Sequence, residues 1–439
     1  MQKCSAVENN APGPGSACPA PVHGVGETAG MNNKPLPDYW FELLENPREQ
    51  RDADYGAEQQ AVFDDDSHRA AWQSIRAWPG YAPTPLRSLR GVAEAAGVAS
   101  IHYKDESTRF GLGSFKPLGG AYAVACLLIS EIEKQVPAAS VGVTDVLKGR
   151  YSQITSRITV TAATDGNHGR AVAWGARMFG CRCVIYIHET VTRGREQAIA
   201  AYGAEVRRNP GTFDDAVRKA QQTADQEGWF VIPDTTDGSV IEAPRNVMRG
   251  YTVLVAEALE QLPYDGPPTH IFLQAAAGGT AAATLAQLWQ IYGAARPRVI
   301  LVEPKTAACW YLSLEAGRPV TAGGDLESIM AGLACGEVSQ LAWMLLAPGA
   351  SAAMKIDDSA AADCMRLLAE GRYGDPPIVA GESAVAGLAG LLAVAAKETD
   401  RRTLGLDSNS RVLLFGTEGA TDPDTYRQIV GRAAEQVSP

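Results

Sequence analysis

The chain has 439 residues, of which 46% are hydrophobic, and its 39 Lys and Arg against 50 Asp and Glu give a net charge of −11. A chain of this length is expected to form two or three folding units, with a core large enough to need neither disulfides nor a structural metal. The acidic charge gives no electrostatic basis for binding nucleic acid or anionic lipid. We therefore expect a small-molecule ligand, and neither nucleic acid nor a membrane as partner.

Residues 1–36 are rich in Gly, Pro, Ala and Asn. Such a composition buries too little apolar surface to fold, so a disordered N-terminal extension is predicted. Neither a secretory leader pattern nor an apolar span of about 18 residues is found, and a cytoplasmic protein is expected. The eight cysteines lack the spacing of a disulfide framework or a zinc site, so reduced thiols and no metal are expected.

From residue 101 onward, short apolar runs alternate with longer Ala-rich stretches of helical period, a pattern typical of an α/β protein. Strands are predicted at 158–162, 183–187, 205–208, 230–232, 270–274, 299–303 and 412–415. Helices are predicted at 118–133, 169–179, 193–201, 213–227, 247–262, 281–292 and 383–397. Several helices begin just after a turn rich in Gly, Asn or Asp, where unpaired backbone N–H groups bind anions. Ligand sites are expected at those turns.

A lysine turn spans residues 113–120, where Lys116 stands among small residues and precedes an apolar helix. A lysine in apolar surroundings loses solvation, which lowers its pKa and makes the amine nucleophilic toward a carbonyl. Lys116 is therefore a candidate for covalent chemistry. The alternative is a solvated surface lysine that follows a glycine turn.

A polar turn at 164–169 carries Asp165, Asn167 and His168 between an apolar strand and a helix. At the carboxyl edge of a parallel sheet, such a turn presents backbone N–H groups and side-chain amides to a small anion. One alternative is a capping turn, in which Asp165 or Asn167 only bonds the helix amides. Another is a packed core imidazole at His168.

A glycine-rich turn follows the next apolar strand and contains Gly278, Gly279 and Thr280. Small residues at the positive end of a helix let backbone N–H groups close on a phosphate. The turn matches neither the glycine motif of dinucleotide sites nor the P-loop, which lowers the support for a nucleotide. The alternative is close packing of the helix on the sheet.

In this order, the three turns resemble those of the fold-type II pyridoxal phosphate enzymes, the tryptophan synthase β-like group. Longer runs resemble diaminopropionate ammonia-lyase: Lys-Asp-Glu-Ser-Thr-Arg-Phe-Gly-Leu at 104–112, Thr-Asp-Gly-Asn-His-Gly-Arg at 164–170, Ile-Met-Ala-Gly-Leu-Ala-Cys-Gly-Glu at 329–337, Gly-Glu-Ser at 381–383 and Thr-Glu-Gly at 417–419. The resemblance covers about residues 76–430. It implies an α/β fold with two open, twisted, parallel-rich sheets and helices on both faces.

The resemblance also implies that the chain binds pyridoxal 5′-phosphate. In that family pattern, Lys116 forms the Schiff base with the cofactor, Asn167 bonds its ring oxygen, and the glycine-rich turn holds its phosphate. The implied cofactor-binding residues are Lys116, Asn167, Gly278, Gly279, Thr280 and Thr417.

For the substrate, the resemblance implies that Asp165, Gly166 and His168 cradle the carboxylate. Asp165 and Lys116 are implied to act as bases on opposite faces of the substrate Cα, so that both stereoisomers can react. Asp234 matches a second important aspartate of the family, suited to a positively charged β-amino group. Without the resemblance, Asp234 could equally be an ordinary turn aspartate. The implied catalytic residues are Lys116, Asp165 and Asp234.

The sequence departs from the family pattern at several positions. Ala276 stands where the family has Gly, and Gly416 and Ala420 replace a Ser and an Asp. Asp237 and Val240 stand where the family has aromatic residues. Because lost aromatic groups open volume and Asp237 adds a carboxylate, a substrate with a larger or more polar side group is expected.

The favoured function is α,β-elimination of ammonia from 2,3-diaminopropionate or a related β-substituted amino acid, giving a 2-oxo acid and ammonia. The alternatives are a β-replacement synthase or hydroxyamino-acid dehydratase, and a pyridoxal phosphate-binding homologue without turnover. A large domain is predicted from 37–121 plus 236–439 and a small domain from 122–235. A homodimer is expected.

Overall fold

The structure is a computed structural model that describes residues 35–137, 140–164, 166–236, 238, 241–263 and 266–437. The chain from residue 35 onward forms one compact unit. The extension predicted at 1–36 lies almost wholly outside the described residues.

The described residues contain eleven strands, which form two sheets. The strands are β1 (Phe41–Glu45), β2 (Leu86–Ser88), β3 (Ser100–Asp105), β4 (Thr159–Ala163), β5 (Arg182–His188), β6 (Glu205–Asn209), β7 (Phe230–Val231), β8 (His270–Gln274), β9 (Arg298–Pro304), β10 (Ala352–Ile356) and β11 (Arg411–Gly416). Seven strands form the larger sheet in the order β1-β10-β9-β8-β11-β3-β2, and β1 and β2 pair antiparallel at its two edges. The smaller sheet is parallel, in the order β6-β5-β4-β7.

Seventeen α-helices cover the sheets within the described residues. They are α1 (Ala57–Gln60), α2 (Asp65–Arg76), α3 (Arg90–Ala96), α4 (Lys116–Gln135), α5 (Val143–Leu147), α6 (Ser152–Thr155), α7 (Asn167–Phe179), α8 (Arg193–Ala200), α9 (Phe213–Glu227), α10 (Glu242–Gln261), α11 (Gly279–Tyr292), α12 (Cys309–Ala316), α13 (Gln340–Gly349), α14 (Asp358–Glu370), α15 (Ala386–Ala395), α16 (Glu398–Leu404) and α17 (Pro423–Val430). None of the described helices is long and apolar enough to span a membrane.

The predicted α/β architecture with two parallel-rich sheets is confirmed. All seven predicted strands and all seven predicted helices are present within a few residues of their predicted limits. The sequence analysis missed β1, β2, β3 and β10. All strands of the smaller sheet lie inside 122–235, but the division into two domains at those limits stays a prediction.

Two strand ends place the polar turn and the glycine-rich turn. The strand β4 ends at Ala163 and α7 begins at Asn167, while β8 ends at Gln274 and α11 begins at Gly279. Each turn therefore lies at the carboxyl end of a parallel strand, where α/β proteins bind ligands. One turn belongs to the smaller sheet and the other to the larger sheet.

Glycines bring α4 and α10 into backbone contact. A Cβ atom on Gly250 would lie 1.9 Å from the carbonyl oxygen of Leu118. A Cβ atom on Gly119 would lie 2.5 Å from the ring of Tyr251. Since no side chain fits between them at these points, α10 holds the helix that begins at Lys116 at a fixed and short separation.

A cluster of buried charges joins α10 to β3. The Glu257 carboxylate accepts hydrogen bonds from Lys104 Nζ at 2.8 Å and from Arg109 Nη2 at 2.7 Å. Arg109 also bonds Glu106 at 2.8 Å, and at most 1% of each of these four side chains is exposed. Burial opposes ionisation of Glu257, but Arg109 and Lys104 outweigh it and hold the pKa of this carboxyl below its ordinary value. The Glu257 carboxyl is therefore ionised and paired at neutral pH.

Replacing Glu257 by Gln is expected to lower the free energy of unfolding by about 3–5 kcal/mol, because two cations stay buried with one carboxylate fewer. Urea denaturation of the purified chain measures the loss.

The matched control is Glu398→Gln, which breaks a pair with Arg402 whose side chains are 68% and 77% exposed. An exposed pair contributes less than about 1 kcal/mol, so this control should change stability little. Equal effects of the two variants would contradict the role assigned to the buried cluster.

Candidate active site

A cavity of about 2470 Å³ is lined by residues of both turns and of α4. Its wall includes Lys116, Asn167, Asp234, Gly279 and Thr417. Ligand pockets in proteins usually measure about 300–1,000 Å³, so this cavity has room for a cofactor together with a substrate. Residues predicted from separate parts of the sequence thus share one cavity.

Lys116 is the first residue of α4, and its amine points into the cavity. Its Nζ donates a hydrogen bond to Asp234 Oδ2 at 2.8 Å, and 23% of the Lys116 side chain is exposed. Burial opposes ionisation of Asp234, but the charge of Lys116 and the neighbouring His168 hold the pKa of this carboxyl well below its ordinary value. Lys116 is therefore a paired amine on the cavity wall rather than a solvated surface lysine, and Asp234 is its anionic partner.

His168 is a buried imidazole that lies beside this pair. Its Nε2 lies 2.7 Å from the carbonyl oxygen of Ile232, and its Nδ1 lies 3.9 Å from Asp234 Oδ2. Because a carbonyl oxygen only accepts, Nε2 must carry the proton. The imidazole ring is thus held between Ile232, which follows β7, and the Asp234 carboxylate.

Asn167 begins α7, and its amide is held at both ends. Its Nδ2 donates to Glu418 Oε2 at 2.6 Å, and its Oδ1 accepts from Arg170 Nη2 at 2.9 Å. Glu418 also accepts a hydrogen bond from Thr421 Oγ1 at 3.0 Å. The orientation of the Asn167 amide therefore depends on Glu418, a role that no local signal in the sequence reveals.

The glycine-rich turn ends where α11 begins, with Gly278 as the capping residue. Gly278 has φ +100°, and a Cβ atom there would lie 2.3 Å from the ring of Trp310. Both observations require glycine. No side chain of the described residues caps α11, so the N–H groups of Gly279 and Thr280, which line the cavity, lack intrahelical acceptors by geometry.

Ala276 lies in this turn in a left-handed conformation, with φ +47°. Its carbonyl oxygen accepts a hydrogen bond from Trp310 Nε1 at 2.9 Å. The turn therefore keeps a backbone shape that suits glycine, although the sequence places an alanine there.

The end of β11 explains the replacement at Gly416. A Cβ atom on Gly416 would lie 2.2 Å from the ring of Tyr103, so no serine fits beside that tyrosine. The next residue, Thr417, is buried and its Oγ1 accepts from Gln274 Nε2 at 3.1 Å. Thr417 thus offers a fixed hydroxyl at the cavity wall.

Some predicted residues cannot be located in this site. Asp165, Asp237 and Val240 lie outside the described residues, so the base predicted at Asp165 and the enlarged side-chain pocket both stay predictions. Gly166 lies on the cavity wall, and its N–H donates to Thr164 Oγ1 at 3.0 Å. Within the described part of the chain, no group of three or more His, Cys, Asp or Glu side chains could hold a metal ion.

Comparison with known proteins identifies the family. The model of the family described as pyridoxal-phosphate dependent enzyme matches residues 77–413. The chain belongs to this family. It is 39% identical over 390 residues to the diaminopropionate ammonia-lyase of Escherichia coli strain K12. This alignment covers 88% of this chain and 96% of the relative. The resemblance seen in its motifs is thereby confirmed.

Solved structures agree with this relationship. The crystal structure of the selenomethionine-labelled holo diaminopropionate ammonia-lyase of Escherichia coli matches with a TM-score of 0.82 and 35% identity, over 92% of this chain and all of that chain. A biosynthetic L-threonine dehydratase of Pasteurella multocida is 29% identical over only 42% of this chain and 34% of its own length. The fold-type II fold is confirmed, and the alternative dehydratase and β-replacement functions are not favoured.

Replacing Ala276 by Gly is expected to raise the free energy of unfolding by about 1 kcal/mol, because glycine adopts the left-handed conformation without the steric cost of a Cβ atom. Thermal or urea unfolding measures the change. The control Ala283→Gly, inside α11, should instead lower stability by about 1 kcal/mol. A loss of stability in both variants would contradict the strain assigned to Ala276.

Proposed function

We propose that this chain catalyses the pyridoxal phosphate-dependent α,β-elimination of ammonia from 2,3-diaminopropionate, giving a 2-oxo acid and ammonia. The single observation that carries the proposal is the amine of Lys116, which is paired with Asp234 inside a cavity that also contains the glycine-rich turn. The relatedness to diaminopropionate ammonia-lyases over nearly the whole of their length supports the choice of substrate.

The residues present fit pyridoxal phosphate. Lys116 would hold the cofactor covalently. The uncapped start of α11 at Gly278, Gly279 and Thr280 would bind its phosphate through backbone N–H groups. Asn167 and Thr417 would contact its ring. When bound, this cofactor supplies an electron sink for negative charge that develops at the substrate Cα.

The pair of Lys116 and Asp234 supports proton transfer at one face of the substrate. A neutral Lys116 amine accepts the proton from Cα, and the resulting ammonium is stabilised by the Asp234 carboxylate at 2.8 Å. A carboxylate near the substrate's β-nitrogen also favours its protonated form, which leaves as neutral ammonia. Asp234 would first stabilise the Lys116 ammonium and then the protonated β-nitrogen of the substrate.

The opposite face and the substrate carboxylate are assigned to the polar turn. Asp165 would be the base for the D isomer, which leaves the L isomer to Lys116 on the opposite face. The start of α7 would bind the carboxylate, with Gly166 on the cavity wall and His168 fixed beside Asp234. These roles rest on the family resemblance together with the position of the turn.

The proposal extends to the organisation of the protein. Two separate sheets support the large domain at 37–121 plus 236–439 and the small domain at 122–235. The six described cysteines are free thiols, which supports a cytoplasmic protein. A homodimer rests on the resemblance alone, and light scattering after size-exclusion chromatography tests it.

Lys116→Ala is expected to remove the visible absorbance of the purified protein, at about 410–430 nm, and to abolish ammonia release, since no other residue would hold the cofactor covalently. Lys134→Ala is the matched control, because its amine is exposed and, among the described residues, pairs with Glu131 alone. An unchanged spectrum in Lys116→Ala, or a borohydride adduct mapped to another lysine, would refute the assignment.

A further inference from the structure

The hydroxyl of Tyr251 is a buried polar group for which the established features of the site provide no role. Tyr251 lies on α10 and is 2% exposed, and its hydroxyl makes no hydrogen bond of regular geometry within the described residues, although it lies near enough to the Lys116 amine for that amine to lower its pKa. Leaving a buried hydroxyl without a well-formed hydrogen bond is unfavourable, so this group is expected to find a partner in the functional state. Tyr251 also lines the cavity.

The ring of Tyr251 lies against the residues that begin α4. Its centroid is 4.7 Å from that of Phe115, and Lys116 Nζ is 6.0 Å from the Tyr251 centroid. A Cβ atom on Gly119 would lie 2.5 and 2.7 Å from Cε1 and Cζ of the tyrosine, and one on Gly279 would lie 4.0 Å from Cε2. The end of the ring that carries the hydroxyl therefore sits between the first turn of α4 and the glycine-rich turn.

The charged and titratable groups that face this region come from two helices and two loops. They are Lys116 on α4, His168 on α7, Asp234 after β7 and Cys335. Burial raises the pKa of Tyr251 to about 12, against the opposing charge of Lys116. Burial also raises the pKa of Cys335 to about 11. Tyr251 is thus neutral at pH 7, and its oxygen can accept a hydrogen bond without competing for charge.

We propose that Tyr251 is a positioning residue, whose hydroxyl oxygen accepts a hydrogen bond from the Lys116 amine and aims that amine at the substrate Cα. The inference rests on the proposed function of Lys116. Asp234 alone cannot hold the amine throughout the reaction, because the same carboxylate is assigned to the substrate's β-nitrogen. A second, neutral partner keeps the lone pair of Lys116 directed at Cα when the Asp234 carboxylate interacts with the substrate's β-nitrogen instead.

The test is Tyr251→Phe, which removes the hydroxyl and leaves the packing of the ring on Phe115 and Gly119. The elimination rate is measured for the L and D isomers of 2,3-diaminopropionate. Loss of a group that aims a catalytic base should lower kcat for the L isomer, which Lys116 would serve, by about 10–100-fold with little change in KM. The D isomer, assigned to Asp165, should keep its rate.

A second readout does not use turnover. The acylation of Lys116 by a small anhydride is followed across pH by mass spectrometry, in the full chain stripped of cofactor. Because the tyrosine oxygen favours the ammonium form, its removal should lower the pH midpoint of Lys116 labelling by about half a unit or more. Tyr426→Phe is the matched control, since that hydroxyl is also buried and has no hydrogen-bond partner in the described part of the chain, but Tyr426 does not line the cavity.

Each other outcome counts against the inference. Equal loss for both isomers, an unchanged labelling midpoint, or weaker cofactor binding as the main effect would show that the hydroxyl does not position Lys116. A lowered thermal midpoint in Tyr251→Phe alone would assign the hydroxyl to the fold instead. If the wild-type chain released no ammonia from either isomer, the proposed function would be wrong. The pH midpoint of Lys116 labelling would then still test whether the Tyr251 hydroxyl bonds the Lys116 amine.

Discussion

The buried carboxylate of Glu257 is the constraint on which the geometry of the site depends. It binds both Lys104 and Arg109, so it joins β3 and the turn that follows it to α10. Since neither cation can be left unpaired away from water, α10 cannot shift without a large cost in free energy. The position of α10 then fixes α4, because the two helices meet backbone to backbone at Gly250. The charged cluster thereby holds the start of α4, where Lys116 lies.

Close packing without room for a side chain also shapes the cavity wall near the glycine-rich turn and the end of β11. Trp310 leaves no room for a side chain at Gly278 and bonds the carbonyl of Ala276. Tyr103 leaves no room at Gly416. Large buried rings therefore define the backbone of the glycine-rich turn and of the end of β11, and the small residues follow from that packing. Both rings are buried in the core, so this part of the cavity wall is closely packed.

Local sequence patterns were sufficient to predict most of the fold and part of the site. Apolar runs and helical periodicity are local signals, so β4 to β9 and β11 were predictable, whereas β10 is alanine-rich and β3 carries the buried Lys104. The three turns were also visible, because each lies within a few residues. The partners of those turns were not visible: Lys116 and Asp234 are 118 residues apart, and Glu257 and Tyr251 stand in a helix with no motif. Long-range pairing of this kind is set by tertiary packing alone.

The central claim is that Lys116 and Asp234 form the catalytic pair of an ammonia-lyase. It is tested most directly by incubating the holoenzyme with 2,3-diaminopropionate and measuring ammonia and pyruvate together. Elimination followed by hydrolysis predicts two molecules of ammonia for each pyruvate, because the β-nitrogen leaves first and the α-nitrogen is lost in the hydrolysis. A cofactor-loaded protein that releases no pyruvate, or equal amounts of ammonia and pyruvate, would contradict the account.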